Sequence, residues 1–470
     1  MNSEIIEPNV SNFVNSLRDM GYTFPIAIAD IIDNSITAKA KNISVIASAK
    51  PQMQLSLLDD GNGMNEEELI EAMRLATKNP YSRRAKSDLG KYGLGLKTAS
   101  FSQCKKLTVI SKKEEKISVK QWDLDYISKK NKWLLITPSK TSLSQIPLFK
   151  NLVEQKSGTL VVWERIDGIE DQAFSSEITK LRDHLALVFH RFLEGIPGTK
   201  MLEITINNNS LKPFNPFNPE HPASQQLPIE KIKIKGKNVI VQPFILPHHS
   251  KVSQLEYEKY ATDEGYTKSQ GFYLYRANRL LIYGTWWKLH KSIDAHKLVR
   301  IKIDIPNDQD QFWGIDIKKS TASPSEEIKK DLKRIILQVT EKGSRPFTGR
   351  GRRIEDKTVN KFWGLSPLNG EIRFVLNTDH PLLNHLKSSI DEEEIELLNT
   401  YLKGIQAFLP LDAIQSKLQQ NPHEVNQRSI LKKEEMEDLI NKLKLSNLDK
   451  NLMEELLNTE IFKEYGSVKK

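Results

Sequence analysis

The chain has 470 residues, enough for two or three domains of about 100 to 200 residues each. Its 38% hydrophobic, 27% charged and 8% aromatic residues exclude wholesale disorder, and its formal net charge of +9 permits contact with nucleic acid without requiring it. The single cysteine, Cys104, excludes an internal disulfide and any multi-cysteine metal site, and reads as a small buried hydrophobe in a reducing compartment. The opening "MNSEIIEPNV" lacks the basic-then-apolar pattern of a signal peptide, and no run approaches the roughly 20 apolar residues of a membrane span. A cytoplasmic protein with no membrane partner is expected.

The first strong element is "AIADIIDNSITAKA", residues 27–40, a helix built on isoleucine and alanine. At about 100° per residue, Ile28, Ile31, Ile32, Ser35 and Ile36 fall on one side, and Asp30, Asn34 and Thr37 gather opposite. Taken alone, this second face is what any solvated surface helix shows. Strand-like stretches with β-branched residues or period-two alternation follow: "NISVIASA", "MQLSLLDDG", "KKLTVISK", "KISVKQWDL" and "GTLVVWERI". They alternate with the helix "NEEELIEAMRLAT" and a polar, basic loop, "KNPYSRRAKSDLG". Residues 1–165 therefore read as a mixed α/β sandwich. A second α/β block, 166–345, carries the strands "MLEITINN", "KIKIKGKNVIVQPFIL", "GFYLYRANRLLIYG" and "VRIKIDI" before the helix "SEEIKKDLKRIILQV". "EKGSRPFTGRGRR" reads as a linker, and residues 346–470 combine that linker, one strand, "EIRFVLN", and a mostly helical tail.

Chemistry enters at "LLDDGNGMNEEEL", where a strand end delivers Asp59 into a turn with Gly61 and Gly63. By itself this is an ordinary turn. "LGKYGLGLKTAS" then places Gly90, Gly93 and Gly95 ahead of a helix, the arrangement that turns backbone N–H groups toward a phosphate. "SGTLVVWERID" puts Thr159 at the start of a strand.

In order and spacing, these four stretches resemble the nucleotide site of the GHKL superfamily, which includes the gyrase B subunit, the ninety-kilodalton heat-shock chaperones, histidine kinases and MutL. "IIDNSI", "DDGNGM" and "GKYGLGLKTAS" are most similar to MORC and MORC-like prokaryotic ATPases. The resemblance spans about residues 26–160 and implies a Bergerat-type ATP-binding domain. It implies that Asn34 ligates Mg²⁺ through its amide oxygen, that Asp59 accepts the adenine amino proton, and that Gly61, Gly63 and Met64 let the backbone approach the base. Gly90, Gly93, Leu94, Gly95, Lys97 and Thr98 then hold the phosphates, and Thr159 supports Asp59. The loop between Met64 and Gly90 corresponds to the ATP lid; its Arg83, Arg84 and Lys86 suit either a phosphate or plain solvent.

Block 166–345 stands where DNA-handling and MORC-like members keep a ribosomal-protein-like α/β transducer domain, which sends a lysine to the γ-phosphate. In "WGIDIKKSTASP" Lys318 and Lys319 are the candidates and Lys319 is preferred. "YRANRLLIYGTWWKL" resembles the transducer strand that carries an asparagine and an arginine; for Arg276 and Arg279 an interdomain structural role stands beside catalysis. One position departs from the pattern: most relatives place glutamate as general base where this chain has Asp30, which predicts slow turnover. Asp33 is expected to anchor the helix.

The resemblance implies an ATPase that uses ATP and Mg²⁺ and forms a nucleotide-dependent homodimer, a clamp acting on DNA beside nuclease or other anti-phage defence partners. DNA phosphates would meet the basic surface, including Arg350, Arg352 and Arg353. A chaperone-like function and an ATP-sensing interaction module without turnover are the alternatives. Phosphotransfer of the histidine-kinase type is disfavoured, because only about 25 residues precede the ATP motifs.

Overall fold

The computed structural model describes residues 3–4, 9–75, 95–195, 201–234, 236–262, 264–316, 319, 321–352, 359–368, 371–425, 427–445 and 449–465. Gly90, Gly93, Leu94, Arg83, Arg84, Lys86, Lys318 and Arg353 lie outside them. The chain divides into two compact units, Met1–Leu246 with Asp263–Val339, and Pro247–Thr262 with Thr340–Lys470.

In the first unit the strands are β1 (Asn42–Ser48), β2 (Gln54–Asp59), β3 (Cys104–Lys113), β4 (Lys116–Asp123), β5 (Gly158–Ile166), β6 (Glu203–Ile206) and β7 (Asn209–Ser210). Among the described residues they form one sheet in the order β4-β3-β5-β2-β1-β6-β7. Alternation explains its two covered faces. On β5, Val161 and Trp163 join the main core, while Leu160 and Val162 point the other way into a smaller cluster with Leu58, Ile110 and Leu152. The main core is closed by helices α1 (Val10–Arg18), α2 (Phe24–Thr37) and α4 (Gly95–Gln103), while α3 (Glu66–Met73) follows the Asp59–Gly63 turn. α2 packs on α4 and on the helix Phe174–Val188. The strand expected at "MLEITINN" forms, but as β6 it pairs in parallel with β1. It therefore extends the first sheet rather than opening the second, because Ile204 and Ile206 bury against the first core.

The second sheet contains β8 (Gln225–Gln226), β9 (Glu230–Ile234), β10 (Lys237–Ile245), β11 (Gly271–Arg276), β12 (Arg279–Thr285) and β13 (Val299–Ile305). Its order is β12-β11-β13-β10-β8, with β9 on β10. Again the residues alternate: Phe272 and Leu274 face the helix Glu326–Arg352, whereas Tyr273 and Tyr275 face the first core. That helix buries Ile328, Leu332, Ile335 and Val339 at helical spacing. It continues through Arg352, so the linker expected from "EKGSRPFTGRGRR" is helical in its described part; Gly343 and Pro346 weaken a helix locally but do not end this one. In the second unit the strand "EIRFVLN" is one arm of a hairpin, β14 (Trp363–Leu368) with β15 (Glu371–Leu376), followed by helices. No described helix is long and apolar enough to cross a membrane.

Truncating Leu332, which is fully buried on the helix Glu326–Arg352, to alanine is expected to cost about 2–5 kcal/mol in urea unfolding. Leu337→Ala, on the exposed side of the same helix, should change stability by no more than about 0.5 kcal/mol.

Candidate functional site

α2 begins with Pro25 in its first turn, where a missing N–H costs nothing. It ends at Ala38–Lys39, with Lys39 left-handed at φ 64° and the Ala40 N–H reaching back 3.0 Å to the Ser35 carbonyl. Onto this end the chain lays the turn after β2: the Asn62 N–H donates to the Ala38 carbonyl at 2.9 Å, and Asp60 accepts from the Lys41 and Asn42 N–H groups at 2.7 and 2.9 Å. The approach is close enough to require glycine. A Cβ on Gly61 would lie 2.9 Å from Ala38 Cβ, and one on Gly63, at φ +64°, would lie 1.9 Å from the Lys112 carbonyl oxygen.

Asp59 is buried at the edge of this turn. Its Oδ2 accepts from the Ser35 hydroxyl at 2.7 Å and its Oδ1 from the Gly61 N–H at 2.9 Å. Burial pushes its carboxyl above the ordinary range, with Ser35 and the Gly61 amide pulling against that. Thr159 pairs with Asp59 across β2 and β5, and its hydroxyl is 2.9 Å from Ser111 Oγ. Ser111 in turn accepts from the Met64 N–H at 2.8 Å. Thr159, Ser111 and Met64 thus form one connected edge beside the carboxylate.

The second focus lies on the other side of α2. Asp30 and Asp33 are only 3% and 2% exposed, so a solvated face does not describe them; Asn34 and Thr37 are exposed. The Lys319 ammonium donates to Asp30 Oδ1 at 3.0 Å and to Asp33 Oδ2 at 2.7 Å. Arg279 Nε, at the start of β12, donates to Asp33 Oδ1 at 3.3 Å, and its guanidinium sits 5.3 Å from the centre of the Phe189 ring. Lys319 reaches this position from a turn in which Asp316 accepts from both the Lys319 and Thr321 N–H groups, at 3.2 and 3.0 Å, with Lys319 itself left-handed at φ 56°. Burial opposes every charge here, and the opposite charges answer it unequally. Asp30 stays above its ordinary range, because burial outweighs Lys319 and Asp33 repels it. Despite burial, Asp33 is held below its range by Arg279 and Lys319. Lys319 is held above its own by Asp30 and Asp33. Arg276, at the end of β11, donates to Asp310 at 2.8 Å, and its charge adds to the forces that favour the Asp33 anion.

Between the two foci stands Asn34. Its amide nitrogen donates to the Asp30 carbonyl at 3.1 Å, and its amide oxygen carries no hydrogen bond among the described residues. α4 starts at Gly95, where a Cβ would lie 3.7 Å from Asp30 Oδ2, so the helix start borders the carboxylate. Thr98 is buried against Tyr22, and the Lys97 ammonium sits on the Ala72 carbonyl at 2.9 Å, near the end of α3. Three contributors have no motif of their own: Ser35, Ser111 and Tyr22. Ser35 lies on the isoleucine side of α2, and only its spacing of one residue from Asn34 could have drawn notice.

Residues 22–159 match the family model described as histidine kinase-, DNA gyrase B- and HSP90-like ATPase. Among curated proteins, the chain is 32% identical over 89 residues to the ATPase morc-1 of Caenorhabditis elegans, covering 19% of this chain and 10% of that protein. It is 32% identical over 99 residues to the ATPase MORC2B of Mus musculus, covering 20% of this chain and 9% of that protein. The chain thus matches about a tenth of the length of these relatives.

His184, on the helix Phe174–Val188, has a buried Nε2 without a hydrogen-bond partner among the described residues, and burial, with Arg279 nearby, pushes its imidazole down to about 3. The unfolded chain takes up a proton there below about pH 6.5 while the folded chain stays neutral, so acid favours unfolding through this group. His184→Gln is expected to lose less stability than the parent between pH 6.5 and 4 in urea titrations, by about 1 kcal/mol or more.

Proposed function

Because residues 22–159 belong to the histidine kinase-, DNA gyrase B- and HSP90-like ATPase family, we propose that this chain binds ATP with its adenine on Asp59 and hydrolyses it with Asp30 as general base. The observation that carries the reading is the buried Asp59 carboxylate beside a turn in which Gly61 and Gly63 leave no room for a side chain. A carboxylate is an acceptor with about four lone-pair positions, and Ser35, the Gly61 amide and the Thr159 amide take up to three of them, which leaves capacity for an adenine amino group. The edge formed by Met64, Ser111 and Thr159 fixes this reader.

The phosphates would extend past Asn34 toward Gly95 and the start of α4, with Gly90, Gly93, Leu94, Lys97 and Thr98 as the remaining proposed contacts. The open amide oxygen of Asn34 suits Mg²⁺, and no cluster of three or more carboxylate, imidazole or thiol groups is available as a cage among the described residues. When bound, the ion would be held in part by Asn34 and would supply charge neutralisation to the phosphates. At the far end Lys319 offers a point charge to the γ-phosphoryl group, and Asp30 takes the proton of the attacking water. Aspartate has about 1.5 Å less reach than glutamate, so turnover is slow. A chain that binds ATP without turnover would be the ATP-sensing alternative.

We extend this reading to a nucleotide-dependent homodimer with Mg²⁺ that clamps DNA, in anti-phage defence with nuclease or related partners. The net charge of +9 and the similarity to the two MORC ATPases support it.

Asp59→Asn is expected to abolish ATP binding in calorimetry while the fold is kept; Asp30→Asn should leave binding nearly unchanged and lower kcat by about 10² or more. Tight binding by Asp59→Asn, or parent turnover in Asp30→Asn, contradicts the assignment. For the clamp, light scattering should show a dimer on adding a non-hydrolysable ATP analogue, and duplex DNA binding should weaken steeply with salt. An unchanged monomer, or no duplex binding at low salt, removes that extension.

A further inference from the structure

We infer that Tyr22 is a positioning residue for Asp30: its hydroxyl fixes the plane of the carboxylate so that one oxygen stays directed to the reacting water. The inference rests on the reading of Asp30 as general base and adds a residue to which no role has been given.

The two oxygens of Asp30 have different partners. Oδ1 accepts from Lys319, and Oδ2 accepts from the Tyr22 hydroxyl at 3.0 Å. Tyr22 lies just before α2, is buried, and is anchored at both ends. Gln103 Nε2, at the end of α4, donates to its carbonyl at 3.0 Å, and the Thr98 hydroxyl, in the first turns of α4, bonds to its phenol oxygen. Burial and the nearby Asp30 carboxylate hold the phenol above its ordinary value, so at neutral pH it is a protonated donor. The bonds run in one direction, from Thr98 to Tyr22 to Asp30.

Such an anchor matters most for an aspartate. Its Cα is fixed by a buried helix and its χ1 is confined to a staggered well, so the soft variable is χ2, an sp³–sp² torsion with broad minima. A hydrogen bond on one oxygen is the direct way to fix that torsion. The start of α4 lies on the other side of the carboxylate, where glycine at 95 leaves open the space in which a Cβ would stand 3.7 Å from Oδ2. Oδ2 is therefore held by Tyr22, and Oδ1 is the oxygen left for exchange between Lys319 and a water. A glutamate at this position would carry its carboxylate about 1.5 Å further from the helix than the point at which Asp30 meets the Tyr22 hydroxyl. The phenol and the short acid fit each other.

Tyr22→Phe keeps the ring and removes the hydroxyl. Its affinity for a non-hydrolysable ATP analogue should stay within about twofold of the parent while kcat falls about tenfold, the loss expected for one hydrogen bond to a charged group. In the double variant with Asp30→Ala, turnover should be no lower than in Asp30→Ala alone. A second readout needs no activity: in urea unfolding without added nucleotide, the destabilisations of Tyr22→Phe and Asp30→Ala should fail to add, as for directly bonded partners. Parent kcat in Tyr22→Phe beside an inactive Asp30→Ala, or strictly additive losses, overturns this inference alone. Parent turnover in Asp30→Ala overturns the general-base reading, and this inference with it.

Discussion

Two carboxylates buried side by side on one helix, Asp30 and Asp33, are the constraint on which the rest of this structure depends. Each would lose a large hydration energy on its own, and each would raise the other's cost by repulsion. Among the described residues, the first sheet and its helices supply no cation to them. Lys319 and Arg279 do, and both come from the second sheet's side of the first unit: one from the turn after β13, the other from the first residue of β12. Removing either partner of such a buried pair typically costs about 3–5 kcal/mol, because the remaining charge is left uncompensated. The two sheets are therefore joined at the site itself, as well as through Tyr273 and Tyr275 in the first core.

This arrangement also divides labour between neighbouring residues of α2. Asp33 has two cationic partners and is held as an anion, which suits an anchor. Asp30 shares one ammonium and stays closer to its protonated form, which suits a group that exchanges a proton. Asn34, one residue further, has an exposed amide oxygen, and Ser35 turns inward to Asp59. Four of six consecutive positions thus carry four different tasks because a helix rotates each by about 100° from the last.

Much of the fold was legible from local pattern. Period-two alternation marked the strands of both sheets, and the α/β class followed from their order with the helices. The Asp59, Gly61 and Gly63 turn stood out because a positive φ and a close backbone approach leave a glycine signature. What could not be read was partnership across the chain. Ser111, Ser35 and Tyr22 are ordinary residue types whose roles arise only when β3, α2 and α4 meet. β6 looked like the first strand of a new block because a strand's sequence does not state which edge it joins. The helix whose buried stripe runs from Ile328 to Val339 continues past the glycines and proline that suggested a linker, and β14 escaped notice because Pro367 and the Gly364 beside Trp363 are poor strand formers.

In the proposed reading, the lysine neutralising this carboxylate pair is also the one that meets the transferred phosphoryl group. A crystal structure with Mg²⁺ and a non-hydrolysable ATP analogue tests this most directly. The γ-phosphoryl oxygens are expected within hydrogen-bond distance of Lys319 Nζ, with the adenine amino group on Asp59. A γ-phosphoryl group held by other residues, with Lys319 still on both Asp30 and Asp33, would contradict it.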